Sequence, residues 1–178
     1  MLLNRFCRLL GTKLSESRCI RFLSNDINEL KQLFAKYDRP NLMRSLVEKN
    51  KNIEKLHKAA VLVPILFRNE NEARFLLSRR SSTIKTFKSE VCFVGGKQDR
   101  EDKNEAATAY REGHEEIGLD PAKLTYLAQL TPVVNTNGSI VTPVVVHFDA
   151  DAFVPRLNTH EVESIFELPV ERFLRAHD

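Results

Sequence analysis

Gly95-Gly96-Lys97-Gln98-Asp99-Arg100-Glu101-Asp102 and, eight residues later, Arg111-Glu112-Gly113-His114-Glu115-Glu116-Ile117-Gly118-Leu119 together decide the fold. Ala106, Ala107 and Ala109 between them favour a helix, and Gly118 falls just past its end, where a left-handed residue is wanted. Asp102 is expected to cap this helix, with Glu105 three positions on as its capping-box partner. Glu112, Glu115 and Glu116 stand at i, i+3 and i+4, so helical geometry sets them on one face, about 5–6 Å apart at Cβ. No lysine at matching spacing relieves their repulsion, so the arrangement costs stability unless a cation occupies it. Hard oxygen ligands suit Mg²⁺ or Mn²⁺, which neutralises pyrophosphate oxygens and acidifies a bound water. Judged on these three glutamates alone, a solvated acidic face is the commoner reading, since charge runs are usually surface; the flanking pattern changes that balance.

Working outward, Ala60 to Phe67 and Arg74 to Leu77 read as strands around the hairpin loop Asn69-Glu70-Asn71-Glu72. A basic, serine-rich loop covers residues 79–89, and Val91 to Val94 reads as a short strand entering Gly95-Gly96. After the helix, strands are expected near Leu124 to Val134 and Ser139 to Phe148. Asn135-Thr136-Asn137-Gly138 joins them, and Asn-Gly is a strong hairpin signal. Upstream, Ile27, Leu30, Leu33, Phe34 and Tyr37 repeat at helical spacing, and 41–57 has room for a second short helix. Leu168-Pro169 leads into a short helix through Phe173. The order of elements predicts an α+β fold, a mixed β-sheet sandwiched between helices.

The pattern around the glutamates resembles the Nudix box: a glycine, an acid, then Arg-Glu-X-X-Glu-Glu-X-Gly and an aliphatic. Gly96, Asp102, Arg111, Glu112, Glu115, Glu116, Gly118 and Leu119 fill it. Asp102 replaces a glutamate, one extra residue precedes Arg111, and Gly113 replaces an aliphatic, which costs a helix about 1 kcal/mol relative to Ala. The extra residue resembles the coenzyme A diphosphatase branch of the family, whose box opens Gly-Gly-Lys-X-Asp-X-X-Asp. That branch has an upstream motif, matched here by Leu76-Leu77-Ser78-Arg79-Arg80-Ser81, Lys85, Ser89 and Phe93-Val94-Gly95-Gly96. Ser78, Ser89 and Val94 stand where the motif has Thr, Gly and Pro. The likeness runs over roughly residues 26–175 and includes the segment from Glu161-Val162 to Leu168-Pro169.

The resemblance implies a pyrophosphohydrolase that uses Mg²⁺ or Mn²⁺ held by Glu112, Glu115 and Glu116. Arg111 completes the catalytic set by orienting the glutamates. The substrate-binding set is Arg79, Arg80, Lys85, Gly95, Gly96 and Lys97, with Lys88 as a further cation of the basic loop. The implied substrate is coenzyme A or acyl-CoA, cleaved to 3′,5′-ADP and (acyl-)4′-phosphopantetheine. Arg is suited to bind such phosphates bidentately, although the loop's composition alone is equally that of a solvated hairpin. Two alternatives remain open. One is another nucleoside diphosphate derivative, such as ADP-ribose or a dinucleotide polyphosphate; the other is a catalytically impaired short form acting as a binding module. His114 is expected in a structural or surface role, and Tyr110 and Cys92 in the core.

Composition bounds the rest. The chain has 178 residues and a formal net charge of +3. Residues 1–24 hold Arg5, Arg8, Lys13, Arg18 and Arg21 against Glu16 alone, a net +4, so the body carries −1. A nucleic-acid partner is therefore not expected, since the cations are not gathered on the folded body. Nor is a membrane partner: the longest apolar run, Ala59 to Phe67, is half the length of a span and contains Pro64. Cys7, Cys19 and Cys92 form no disulfide or zinc pattern. Residues 1–23 read as an acid-poor, arginine-rich mitochondrial transit peptide, and the terminal Ala176-His177-Asp178 carries no Ser-Lys-Leu peroxisomal address. The expected organisation is a leader (1–23), an N-terminal helical segment (24–57) and the Nudix domain (58–178), short at its C-terminus and lacking the final strand or helix. The oligomeric state is left open.

Overall fold

The computed structural model describes residues 26–68 and 72–174. The proposed leader, residues 1–23, lies outside them. The chain runs α1 (Ile27–Ala35), α2 (Leu42–Lys49), α3 (Lys51–Glu54), β1 (Lys58–Phe67), β2 (Ala73–Arg80), β3 (Val91–Cys92), β4 (Gly95–Lys97) and α4 (Glu105–Ile117). It continues through a 3₁₀ turn (Pro121–Lys123) to β5 (Thr125–Gln129), β6 (Val133–Val134), β7 (Ile140–His147), β8 (Val162–Pro169) and α5 (Glu171–Leu174). The strands form one mixed sheet in which β1 and β7 are parallel and the other pairs antiparallel.

β1 is buried along most of its length because it pairs on both sides and packs on both faces, as a continuous apolar run implies. Its C-terminal part pairs with β2, and its N-terminal part pairs with β4. The short β3–β4 connection therefore fills the gap where β1 and β2 diverge. Alternation along the strands divides the core into two layers. One joins Val63, Ile65, Phe75, Leu77 and Phe93 to Leu30 and Phe34 of α1 and Phe173 of α5. The other joins Leu62, Leu66, Leu76, Val94 and Val144 to Ala109 and Ile117 of α4. The sheet is thus sandwiched between helices, as expected. Among the described residues, no helix is long and apolar enough to cross a membrane.

Several local expectations need correction. Asp102 does not cap α4. Asn104 does, accepting from the Ala107 amide at 2.9 Å, while the Asp102 carboxylate turns to Arg111. Glu105 closes no capping box; its carboxylate instead meets Gln129 Nε2 at 3.4 Å. The strand expected from Leu124 to Val134 is two strands, broken at residues 130–132, and Val91 to Val94 is strand only through Cys92. β8 is a strand that the sequence reading above does not include, although Glu161, Glu163 and Glu167 alternate with apolar residues through it and just before it. A β-bulge hides it: Arg79 faces Ser164 but Arg80 faces Val162, leaving Glu163 as the extra residue.

Candidate active site

α4 lies across β1 and β4, and its placement rests on two glycines. Gly113 meets β1, where a Cβ would lie 2.8 Å from Leu62 Cδ2. Gly96 meets the acidic face, where a Cβ would overlap the Glu112 carboxylate. Gly118 ends the helix in the left-handed region at φ 79°, its amide bonding to the last carbonyls.

The three glutamates have different surroundings. Glu116 is 2% exposed; its Oε2 accepts from the Gly95 amide at 3.2 Å, and its Oε1 stands 3.7 Å from Arg80 Nη1. Burial pushes its carboxyl up to about 7, with Arg80 opposing and Glu112 and Glu161 adding to the rise. Glu112 is raised by burial as well, against the pull of Arg111. Glu115 is half exposed and accepts from Arg111 Nη1 at 2.9 Å.

Arg111 ties this group together. Its guanidinium donates to Asp102, Glu112, Glu115 and the Lys97 carbonyl at 2.9–3.2 Å. Asp102 is held below the usual carboxylate range, first by its hydrogen bond from Arg111. The extra residue of the box thus ends at a carboxylate that anchors the arginine from the side opposite the glutamates.

Around this centre the structure brings together Gly95, Gly96, Arg80, Arg111, Glu112, Glu115 and Glu116. Arg79 points the other way and pairs with Glu163 at 3.6 Å. The side chains of Lys85, Lys88 and Lys97 are exposed. Glu161 is a residue that sequence reasoning did not single out as part of the site. It stands near enough to raise both Glu112 and Glu116, and its carbonyl accepts from the Ser81 amide at 2.8 Å. His114 bonds through Nδ1 to the Leu119 carbonyl at 3.2 Å, a structural role.

Among the described residues, no three His, Cys, Asp or Glu side chains converge closely enough to enclose a metal ion. The donor set still fits Mg²⁺ or Mn²⁺, because such ions keep several waters and take one or two carboxylates plus substrate phosphates. A buried carboxylate crowded by a partly buried one, both shifted toward the protonated form, is the environment a cation relieves.

The fold and this helix define a Nudix domain. The family's NUDIX domain model matches residues 56–178, and the chain belongs to that family. It is similar to "Nudix hydrolase 22, chloroplastic" of Arabidopsis thaliana, at 41% identity over 66% of this chain and 39% of that one. It is also similar to "Nudix hydrolase 15, mitochondrial" of the same plant, at 38% over 66% and 42%. A third relative is the mouse "Peroxisomal coenzyme A diphosphatase NUDT7", at 40% over 66% and 49%. The chain thus spans less than half the length of these curated relatives. Among solved structures, a C. elegans Ap4A hydrolase binary complex shares the fold at 20% identity and TM-score 0.52, over 61% of this chain and 77% of that one. The NUDIX domain of Shewanella oneidensis NrtR complexed with ADP ribose does so at 16% and 0.51, over 73% and 85%.

Proposed function

We propose that this chain is a metal-dependent pyrophosphohydrolase that cleaves coenzyme A or acyl-CoA to 3′,5′-ADP and (acyl-)4′-phosphopantetheine. The observation that carries the chemistry is the meeting of partly buried Glu112 and buried Glu116 with the Gly95-Gly96 backbone. Glu112 and Glu116, with Glu115, would hold Mg²⁺ or Mn²⁺. When bound, the cation supplies charge neutralisation at the anhydride and a more acidic water. Arg111 fixes the rotamers of Glu112 and Glu115, so the carboxylates are preorganised. Gly96 keeps a side chain out of the space of the Glu112 carboxylate, and Gly95 lets the backbone lie close against β1 while its amide donates to Glu116. Arg80, Lys85 and Lys97 contribute cations for phosphate.

The choice of coenzyme A rests on the upstream motif and on the relative whose name carries that activity. It predicts a partner for the 3′-phosphate, which Lys85 on the exposed loop is suited to hold. The test is hydrolysis of CoA, dephospho-CoA, ADP-ribose and dinucleotide polyphosphates by the purified chain with Mg²⁺ or Mn²⁺. CoA should give the highest kcat/KM. A preference for ADP-ribose or a dinucleotide would transfer the assignment to that substrate, and no hydrolysis of any would leave a binding module. The mitochondrion is the proposed compartment on the composition of residues 1–23, tested by localising a reporter with and without them.

A further inference from the structure

Arg79 and Arg80 are neighbours on β2 with opposite surroundings. Strand alternation alone would separate them, and the bulge at Glu163 completes the separation. It pairs Arg80 with Val162, on the α4 side of the sheet, and leaves Glu163 for Arg79. Arg80 is thereby directed at the acidic helix, with its side chain only 20% exposed.

Once there, it is held loosely. Its Nη1 lies 3.7 Å from Glu116 Oε1, beyond good hydrogen-bond length. Its Nε is buried with no hydrogen-bond partner, a group whose desolvation costs about 1–3 kcal/mol. Arg111 is the opposite case, with four satisfied acceptors. An arginine with an unsatisfied nitrogen stays in a buried position only if charge attraction holds it there, and Glu116 is its carboxylate. Arg111 is thus anchored by several acceptors, while among the described residues Arg80 pairs with one carboxylate, Glu116, with the Cys92 thiol beside it.

We propose that Arg80 is the built-in counter-ion of Glu116: it occupies the place of the divalent cation while that cation is absent and yields Glu116 when it binds. This rests on the reading of Glu116 as a metal ligand. Arg80 is a positioning residue in this role, acting through Glu116. It holds the carboxylate aimed past Gly95, and the cation binds against its positive charge. Removing that charge has two opposite consequences. The cation-free protein loses a buried ion pair and becomes less stable, while the cation meets one repulsion fewer and binds more tightly. A residue that merely supported the fold would weaken both.

The test is Mn²⁺ binding to the purified chain at pH 8, read from the EPR signal of free Mn²⁺, together with melting in EDTA. Arg80→Met keeps most of the volume and removes the charge. It should melt below the parent chain in EDTA and bind Mn²⁺ about tenfold more tightly, the scale of one close charge pair. Arg80→Lys keeps the charge and should bind Mn²⁺ close to the parent value. Arg80→Gln replaces the methionine variant should that one fail to fold. Unchanged or weaker Mn²⁺ binding in Arg80→Met overturns the proposal, as does an equal gain in Arg80→Lys, which would trace the effect to packing. Glu116→Gln separates the two levels of the argument. If it binds Mn²⁺ as the parent does, or if the parent binds none, then Glu116 is no metal ligand and the proposal falls with that reading.

Discussion

Glu116 is the carboxylate most exposed to the consequences of an unmatched charge, since it is almost fully buried. Its replacement by Gln should lower turnover by about 10²-fold or more, the scale of a positioned catalytic group. Steady-state kinetics with saturating Mg²⁺ measure this, and undiminished kcat would remove Glu116 from the catalytic set. The same burial makes a statement about pH. Its carboxyl sits near 7 in the folded chain against an ordinary 4.5, so folding favours the protonated form. That contribution is fully present below about pH 4.5 and is lost as pH rises through about 7. Without divalent cation, the protein should therefore melt at higher temperature at pH 5 than at pH 8. Glu116→Gln should flatten the difference, and an equal slope in parent and variant would show that other groups carry it.

At the scale of elements, two departures from the family pattern have different outcomes. Ser89 stands where the upstream motif has glycine, and its φ is 56°. An L side chain in the left-handed region costs roughly 1–2 kcal/mol, so Ser89→Gly should raise stability, by about 0.5–1 kcal/mol after the added unfolded-state entropy is counted. Denaturant melts at constant slope measure it. No gain would mean that the loop relaxes around the serine. Gly113 stands where the box has an aliphatic, and here the space is taken by Leu62. Gly113→Leu should overpack the contact between α4 and β1 and cost about 1–3 kcal/mol, with Leu62→Ala partly restoring stability in the double variant. Additive losses would show that the two side chains do not share that space.

For the whole molecule, the question is how the N-terminal helical segment relates to the sheet. Leu30 and Phe34 are fully buried in the same layer as Phe75 and Phe173. Asp38 adds a polar tie, accepting from Tyr126 OH at 2.6 Å and the Gln129 amide at 2.8 Å. Leu30→Ala should therefore cost about 2–5 kcal/mol, as for a core leucine. It should lower the melting of the whole chain in a single transition. A separate early transition, with the main melt unchanged, would show that α1 unfolds by itself.

The sequence by itself determined the helix, its glutamate face, its glycine terminus and the hairpin at Asn135 to Gly138. These depend on interactions within a few residues, which spacing records. It also revealed the mixed sheet between helices, because strands and helices differ in hydrophobic period. Tertiary structure alone decided which neighbours complete each group. Asp102 has the sequence signature of a cap, an acid just before a helix; its partner, Arg111, is reached only when the loop folds back. Arg79 and Arg80 look alike in a basic loop, and only the bulge against β8 sends one to Glu163 and the other to Glu116. Glu161 joins the carboxylates across 45 residues of chain from Glu116, a distance over which no local pattern carries information. Gly113 reads as a helix defect until Leu62 is seen to fill its space. Burial, which separates Glu116 from half-exposed Glu115 one position away, arises from how the sheet and α4 pack together, and one-dimensional spacing does not contain it.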